Sequence, residues 1–124
     1  MSFNVLIVDD DFINRKLITT LLKKHTDLIG NMIEAENGSE ALSILRGDNS
    51  INMILLDIMM PILDGKEFLK IFRSDEENNA VPIIVLSTDD TQRTTVYNYG
   101  ADDFLLKPIK EAELIPAIQK WVTD

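Results

Sequence analysis

The chain has no cysteine, one histidine and one tryptophan in 124 residues. Without cysteine there is no disulfide, no thiolate nucleophile and no cysteine-bound zinc. The lone His25 cannot build a zinc site. It falls late on a predicted first helix, where a cation suits the helix dipole. Basic residues are scarce: 12 Lys and Arg stand against 21 Asp and Glu, a formal net charge of −9. That balance argues against direct nucleic-acid binding, which needs a basic face, and disfavours an anionic membrane surface. No apolar run approaches transmembrane length. The start, Met1-Ser2-Phe3-Asn4, has no basic stretch leading into a long apolar segment, so no signal peptide is evident and a cytoplasmic location is expected. Repeats, linkers and low-complexity segments are absent, with no sign of an attached effector domain. Residues 1–124 are expected to form one domain around one core.

What is present is an alternation of short apolar runs and amphipathic stretches. Val5–Val8, Met32–Ala35, Asn52–Asp57, Ile83–Leu86 and Phe104–Leu106 read as strands, the second the weakest. Between them lie helical patterns: Ile13, Leu17 and Leu21 beside Ile18 and Leu22; Ala41, Leu42 and Leu45, capped by Asn37 or Ser39; Phe68, Leu69 and Phe72; a short helix to Tyr99, stopped by Gly100; and Leu114, Ile118 and Val122 beside Ile115 and Trp121. Gly47–Asn52 and Ser74–Asn79 read as loops. Pro116 falls inside the last helix, where it costs a hydrogen bond. Five βα units with short loops imply an α/β fold, a parallel sheet covered by helices on both faces.

In such sheets ligands bind at the carboxyl ends of the strands. Here those ends carry Asp9-Asp10-Asp11, Asp57 and Lys107-Pro108. Carboxylates gathered that closely repel unless a cation joins them, which points to a divalent-metal site beside one reactive aspartate. Magnesium takes oxygen ligands and keeps several waters, so one or two carboxylates of the first cluster suffice. Asp11 is better read as the cap of the following helix. Pro61 and Asp64-Gly65 shape a tight turn after Asp57 that aims a backbone carbonyl, that of Met59, toward the same metal. Lys107 can pair with Asp57 or with a phosphoryl oxygen, and Ser87 offers a hydroxyl to the same region.

The ordered set Val8-Asp9-Asp10, Leu56-Asp57, Met60-Pro61, Asp64-Gly65, Ser87, Gly100-Ala101 and Lys107-Pro108 resembles the receiver domain of bacterial two-component response regulators. The similarity covers essentially the whole chain. It implies a doubly wound five-stranded parallel sheet in the order 2-1-3-4-5 with five helices on two faces. By the same resemblance Asp57 is the phosphoacceptor, Asp10 binds Mg2+ directly, Asp9 does so mainly through water, and the Met59 carbonyl completes the protein ligands. Lys107 and Ser87 contact the phosphoryl group, and Phe104 matches an aromatic position whose rotamer follows phosphorylation. Met59 and Asp89 stand where the family tunes phosphoryl lifetime.

The implied role is a phosphorelay switch rather than an enzyme with an external substrate. A sensor histidine kinase or histidine phosphotransfer protein lies upstream and a protein target downstream, and a homodimer is left open. One departure stands out: the segment between Ser87 and Gly100 is a couple of residues shorter than in most receivers. Two other readings compete. One is a degenerate receiver acting as a constitutive interaction domain. The other is an aspartate-nucleophile phosphatase using Asp9 within its D-x-D pattern, which leaves Asp57 without a distinctive role.

Overall fold

Five apolar runs form the strands of a computed structural model that describes residues 3–48 and 50–121. They are β1 (Phe3–Val8), β2 (Ile29–Ala35), β3 (Met53–Asp57), β4 (Ile83–Ser87) and β5 (Asp103–Leu106). All pair in parallel, in the order β2-β1-β3-β4-β5. The helices are α1 (Phe12–Leu22), α2 (Gly38–Gly47), α3 (Gly65–Arg73), α4 (Arg93–Asn98) and α5 (Glu111–Trp121).

The strands are apolar throughout because both faces of the sheet are covered, and their side chains alternate between two cores. Leu6, Val8, Ile54, Leu56, Ile83 and Val85 pack with residues of α2, α3 and α4, among them Ala41, Phe68, Phe72 and Val96. Val5, Ile7, Met53, Leu55, Ile84 and Leu86 pack against Ile18 and Leu22 of α1 and Leu114 and Ile118 of α5. Burying side chains of this size contributes about 1.5–3 kcal/mol each, so a slip of one residue in any central strand would exchange two cores' worth of contacts.

Several elements differ from the sequence expectation. Strand β2 starts at Ile29, three residues early, because its outer part is half-exposed and lacks the apolar run of a central strand. The polar stretch Ser74–Asn79 is not a plain loop. Asp75 caps a 3-10 helix over Glu76–Ala80 by accepting the Glu77 amide. On α1 the buried row is Arg15, Ile18, Thr19 and Leu22, while Ile13 and Leu17 face outward. Val122, placed on the last helix, lies outside the described residues. That helix runs through Pro116. The short fourth helix is confirmed at six residues, preceded by a 3-10 turn over Asp90–Gln92. It ends before Gly100, whose φ of +106° only glycine adopts without strain.

At the end of the sheet opposite the aspartates, Arg73 ties these late elements together. Its guanidinium donates to the carbonyls of Gly100 and Asn78 and pairs with Asp102 at 2.9 Å. Asp102 in turn accepts the Ile83 amide. This clamp fixes where β4 and β5 begin and so sets how far their other ends, Ser87 and Lys107, project.

Candidate functional site

Register decides what meets at the carboxyl ends. Val8 pairs with Leu56, so Asp9 emerges level with Asp57. Asp57 pairs with Leu86 and Ser87 with Leu106, so Ser87 and Lys107 emerge one step further on. One ligand oxygen from each of Asp9, Asp10 and Asp57 lies within 4.8 Å of the others. Asp9 and Asp57 are buried and Asp10 is exposed. The Lys107 ammonium sits between the two buried carboxylates, 3.2 Å from Asp9 Oδ2 and 3.3 Å from Asp57 Oδ1.

Each group is held by its neighbours. Asp9 Oδ1 accepts the Asp11 amide at 2.9 Å, and the Asp9 carbonyl accepts from Arg15 at 2.6 Å. Arg15 itself is 6% exposed and pairs with Glu34 on β2. Asp11 caps α1 by accepting the Ile13 amide, as its position suggests. The Lys107 amide donates to the Ser87 carbonyl at 2.8 Å, and the Lys107–Pro108 peptide is cis. The Ser87 hydroxyl oxygen accepts the Asp89 amide at 3.0 Å, leaving its hydrogen free to donate.

The turn after Asp57 is tightly built. Gly65 donates its amide to the Ile58 carbonyl, and a Cβ at Gly65 would stand 2.6 Å from the Asp57 carbonyl oxygen. Only glycine permits that approach. Within the same turn Ile62 has a φ of 69°, and Leu63 donates back to the Pro61 carbonyl at 2.7 Å. A β-branched residue in the left-handed region is strained, and strain of this kind persists where the surroundings enforce it.

Burial pushes the Asp57 carboxyl up, from an ordinary 3.8 to about 6. The Lys107 ammonium opposes this, the Asp9 charge adds to it, and the Lys107 and Met59 hydrogen bonds oppose it more weakly. At Asp57 the single lysine therefore does not offset burial and the neighbouring Asp9 charge together. The donor set is all oxygen, with two buried carboxylates and one exposed, and it fits a hard divalent cation that keeps some of its water.

A family model for the response regulator receiver domain matches residues 5–119. The chain belongs to the response regulator receiver domain family. This receiver is 33% identical over 116 residues to protein PilH of Pseudomonas aeruginosa, covering 92% of this chain and 93% of that protein. It is 38% identical over 121 residues to hybrid signal transduction histidine kinase A of Dictyostelium discoideum, 94% of this chain but only 6% of the kinase. It spans about half the length of several other curated regulators that it matches. Its fold superposes with a TM-score of 0.85 on the receiver domain of a P. aeruginosa sensor histidine kinase, at 28% identity and 98% coverage of both chains. That protein was solved with a magnesium ion coordinated in its active-site cleft.

Asp9, Asp10, Asp57 and Lys107 meet at this receiver's pocket and Ser87 ends the adjoining strand, whereas Phe104 is 3% exposed in the core on β5, Gly100 packs against Arg73 at the other end of the sheet, and His25 pairs with Glu111. The Met59 side chain points to solvent, 73% exposed. Sequence reasoning missed Arg15. Its signal was available, because Arg15 shares a helical row with Ile18 and Leu22, and Glu34 on β2 offers it a partner.

The raised Asp57 group makes a stability prediction. Between about pH 4 and pH 6 the native state binds more protons at Asp57 than the unfolded chain, so stability falls as pH rises through that window. Asp57→Asn removes the charge. In chelator at pH 7 the variant should be about 1–3 kcal/mol more stable than the parent in urea unfolding. The gap should shrink below pH 4, and millimolar Mg2+ should stabilise the parent selectively.

Proposed function

We propose that this receiver accepts a phosphoryl group from a phosphohistidine onto Asp57, in the presence of Mg2+, and thereby switches its binding to a downstream protein. The observation that carries the reading is the Lys107 ammonium lying between Asp57 and Asp9 beside the Asp9-Asp10-Asp57 cluster. An Asp57 carboxylate oxygen attacks phosphorus in line. The P–N bond to imidazole breaks, the imidazole leaves with the bonding pair and takes up a proton, and an acyl phosphate forms. Lys107 sits where it can move from carboxylate to phosphoryl oxygen, and the Ser87 hydroxyl has a hydrogen free for another. Bound Mg2+, held by Asp10, Asp57, the Met59 carbonyl and, through water, Asp9, would offset charge on the transferring group. Receiver domains are in general signalling modules rather than enzymes, and the self-limited acyl phosphate fits that role.

Asp9 is poorly placed for the competing phosphatase chemistry. It is 2% exposed against 7% for Asp57, and each of its carboxylate oxygens already accepts one donor, the Asp11 amide and Lys107. The degenerate-receiver reading is disfavoured because the acidic pair, the acceptor position and the lysine are all present and in contact.

The upstream partner fits a surface at the pocket's edge. Phe12, Ile13 and Leu17 on α1 and Met59 and Ile62 after β3 are all more than half exposed. Along α1 a groove of about 450 Å³ runs between Leu17, Leu21 and Ile109, edged by Lys16 and Lys24. An adjoining cavity reaches Lys107 and Pro108. An apolar, locally basic strip leading to Lys107 suits an apolar, acid-rimmed face around the phosphohistidine of an upstream sensor histidine kinase or histidine phosphotransfer protein. No helix among the described residues is long and apolar enough to cross a membrane.

Intact mass after incubation with acetyl phosphate tests the acceptor. An adduct of one phosphoryl group should form with Mg2+, be absent in chelator, and be lost in Asp57→Asn. An adduct that survives in Asp57→Asn would place the nucleophile elsewhere. The docking strip has its own test: Leu17→Glu should slow transfer from a purified histidine phosphotransfer protein by about tenfold or more, with labelling by acetyl phosphate unchanged. Equal slowing of both reactions would remove the strip from the account.

A further inference from the structure

Helix α1 carries two charged residues, and they are placed in opposite ways. Lys16 is exposed, whereas Arg15 is buried in the row that holds Ile18 and Leu22. An arginine is almost never buried unless its charge is paired. Here Nε donates to Glu34 Oε1 on β2 at 3.0 Å, and Nη2 lies 3.8 Å from Glu36 Oε1. The third bond goes elsewhere: Nη1 donates to the Asp9 carbonyl at 2.6 Å, within the protein interior. Pairing α1 with β2 requires only Glu34. The carbonyl bond falls instead on the peptide that joins Asp9 to Asp10.

That peptide needs a donor. The paired register of β1 ends at Val8, and the Asp9 amide still donates to the Ala35 carbonyl at 3.1 Å. The Asp9 carbonyl lies beyond the ladder, and a buried carbonyl left unpaired costs about 1–3 kcal/mol. Because the peptide is planar, a donor on this carbonyl also fixes the plane of the Asp10 amide and the direction in which Asp10 leaves the strand. The segment is closed from both sides. Asp9 Oδ1 accepts the Asp11 amide at 2.9 Å, and the Asp11 carbonyl accepts the Arg15 amide at 3.1 Å. Asp10, exposed on the outside of this ring, takes its direction from the backbone that Arg15 holds.

We propose that Arg15 is a positioning residue for the divalent-cation site: its bond to the Asp9 carbonyl, aimed by Glu34, sets the Asp9-Asp10 peptide so that both carboxylates converge on the cation. This rests on the Mg2+ reading above. The sign of the effect separates it from plain electrostatics. A guanidinium beside the site repels a divalent cation, and Glu34 offsets only part of that repulsion. Removing the Arg15 charge would therefore tighten Mg2+ binding if charge were all that mattered. Removing a group that orients the ligands weakens binding, by about tenfold or more where such groups have been deleted from metal sites.

The experiment titrates Mg2+ into chelator-stripped protein by calorimetry, beside urea unfolding of each variant in chelator. Parent, Arg15→Met, Arg15→Lys and Glu34→Gln are compared. Arg15→Met should bind Mg2+ about tenfold more weakly. Its labelling by acetyl phosphate should need correspondingly more Mg2+ for half-maximal rate and recover at saturating Mg2+. Arg15→Lys keeps the charge without the planar fork, so its affinity should fall between parent and Arg15→Met. Glu34→Gln leaves an acceptor for Nε and the carbonyl bond in place, so it should lose less affinity than Arg15→Met, whatever it loses in stability. If Arg15→Met does not fold by circular dichroism, Arg15→Lys decides, since an unchanged charge predicts unchanged affinity unless geometry matters. Unchanged or tighter binding in the Arg15 variants would overturn the proposal, as would Glu34→Gln weakening binding as much as Arg15→Met, which would make Arg15 a tie between α1 and β2 only. A parent that binds no Mg2+ would instead defeat the metal reading itself.

Discussion

The Lys107 ammonium between Asp9 and Asp57 is the contact on which the rest of the structure depends. Two buried carboxylates at this separation cannot both stay ionised in a poorly solvated pocket without compensation. Lysine supplies one positive charge, and the acidic cluster carries three. The fold is arranged to keep this imbalance in place. The β1–β3 register sets the two aspartates level, the Ser87 carbonyl holds the Lys107 backbone, and the Gly65 approach locks the turn beneath Asp57. The same imbalance makes the pocket receptive to a divalent cation and then to the negative charge of a phosphoryl group.

That dependence explains why much of the fold was readable from the chain. A parallel sheet buried on both faces demands unbroken apolar strands, and Val5–Val8, Met53–Leu56 and Ile83–Leu86 have no other plausible place. Charged residues directly after such strands must gather at one edge. So Asp9, Asp57 and Lys107 were expected at one edge of the sheet, and there the Lys107 ammonium lies 3.2 Å from Asp9 and 3.3 Å from Asp57. The capping role of Asp11 followed from the same placement.

What stayed hidden was direction rather than element type. Helix α1 carries two apolar rows, Ile13-Leu17-Leu21 and Ile18-Leu22, and periodicity does not say which one meets the sheet. The inward row also contains Arg15, a polar residue that makes it look like the solvent face, until its bonds to the Asp9 carbonyl and Glu34 are seen. The outward row is left as the apolar strip beside the pocket. Strand β2 was underestimated because an edge strand with a half-exposed outer part has no continuous apolar run. The Arg93 guanidinium, 4.6 Å from the Phe104 ring centroid, could not be placed there from the chain, since its position depends on how a six-residue helix and its leading turn are oriented.

The central claim is that burial beside Asp9, only partly offset by Lys107, holds the Asp57 carboxyl above the ordinary aspartate value and leaves it open to a divalent cation. Carbon-13 NMR of the aspartate carboxyls, assigned through Asp57→Asn, measures this directly when titrated in chelator and again in saturating Mg2+. The account predicts a midpoint near 6 for Asp57 in chelator and a clear move to more acid pH with Mg2+. A carboxyl that titrates at the ordinary aspartate value and ignores Mg2+ would contradict it.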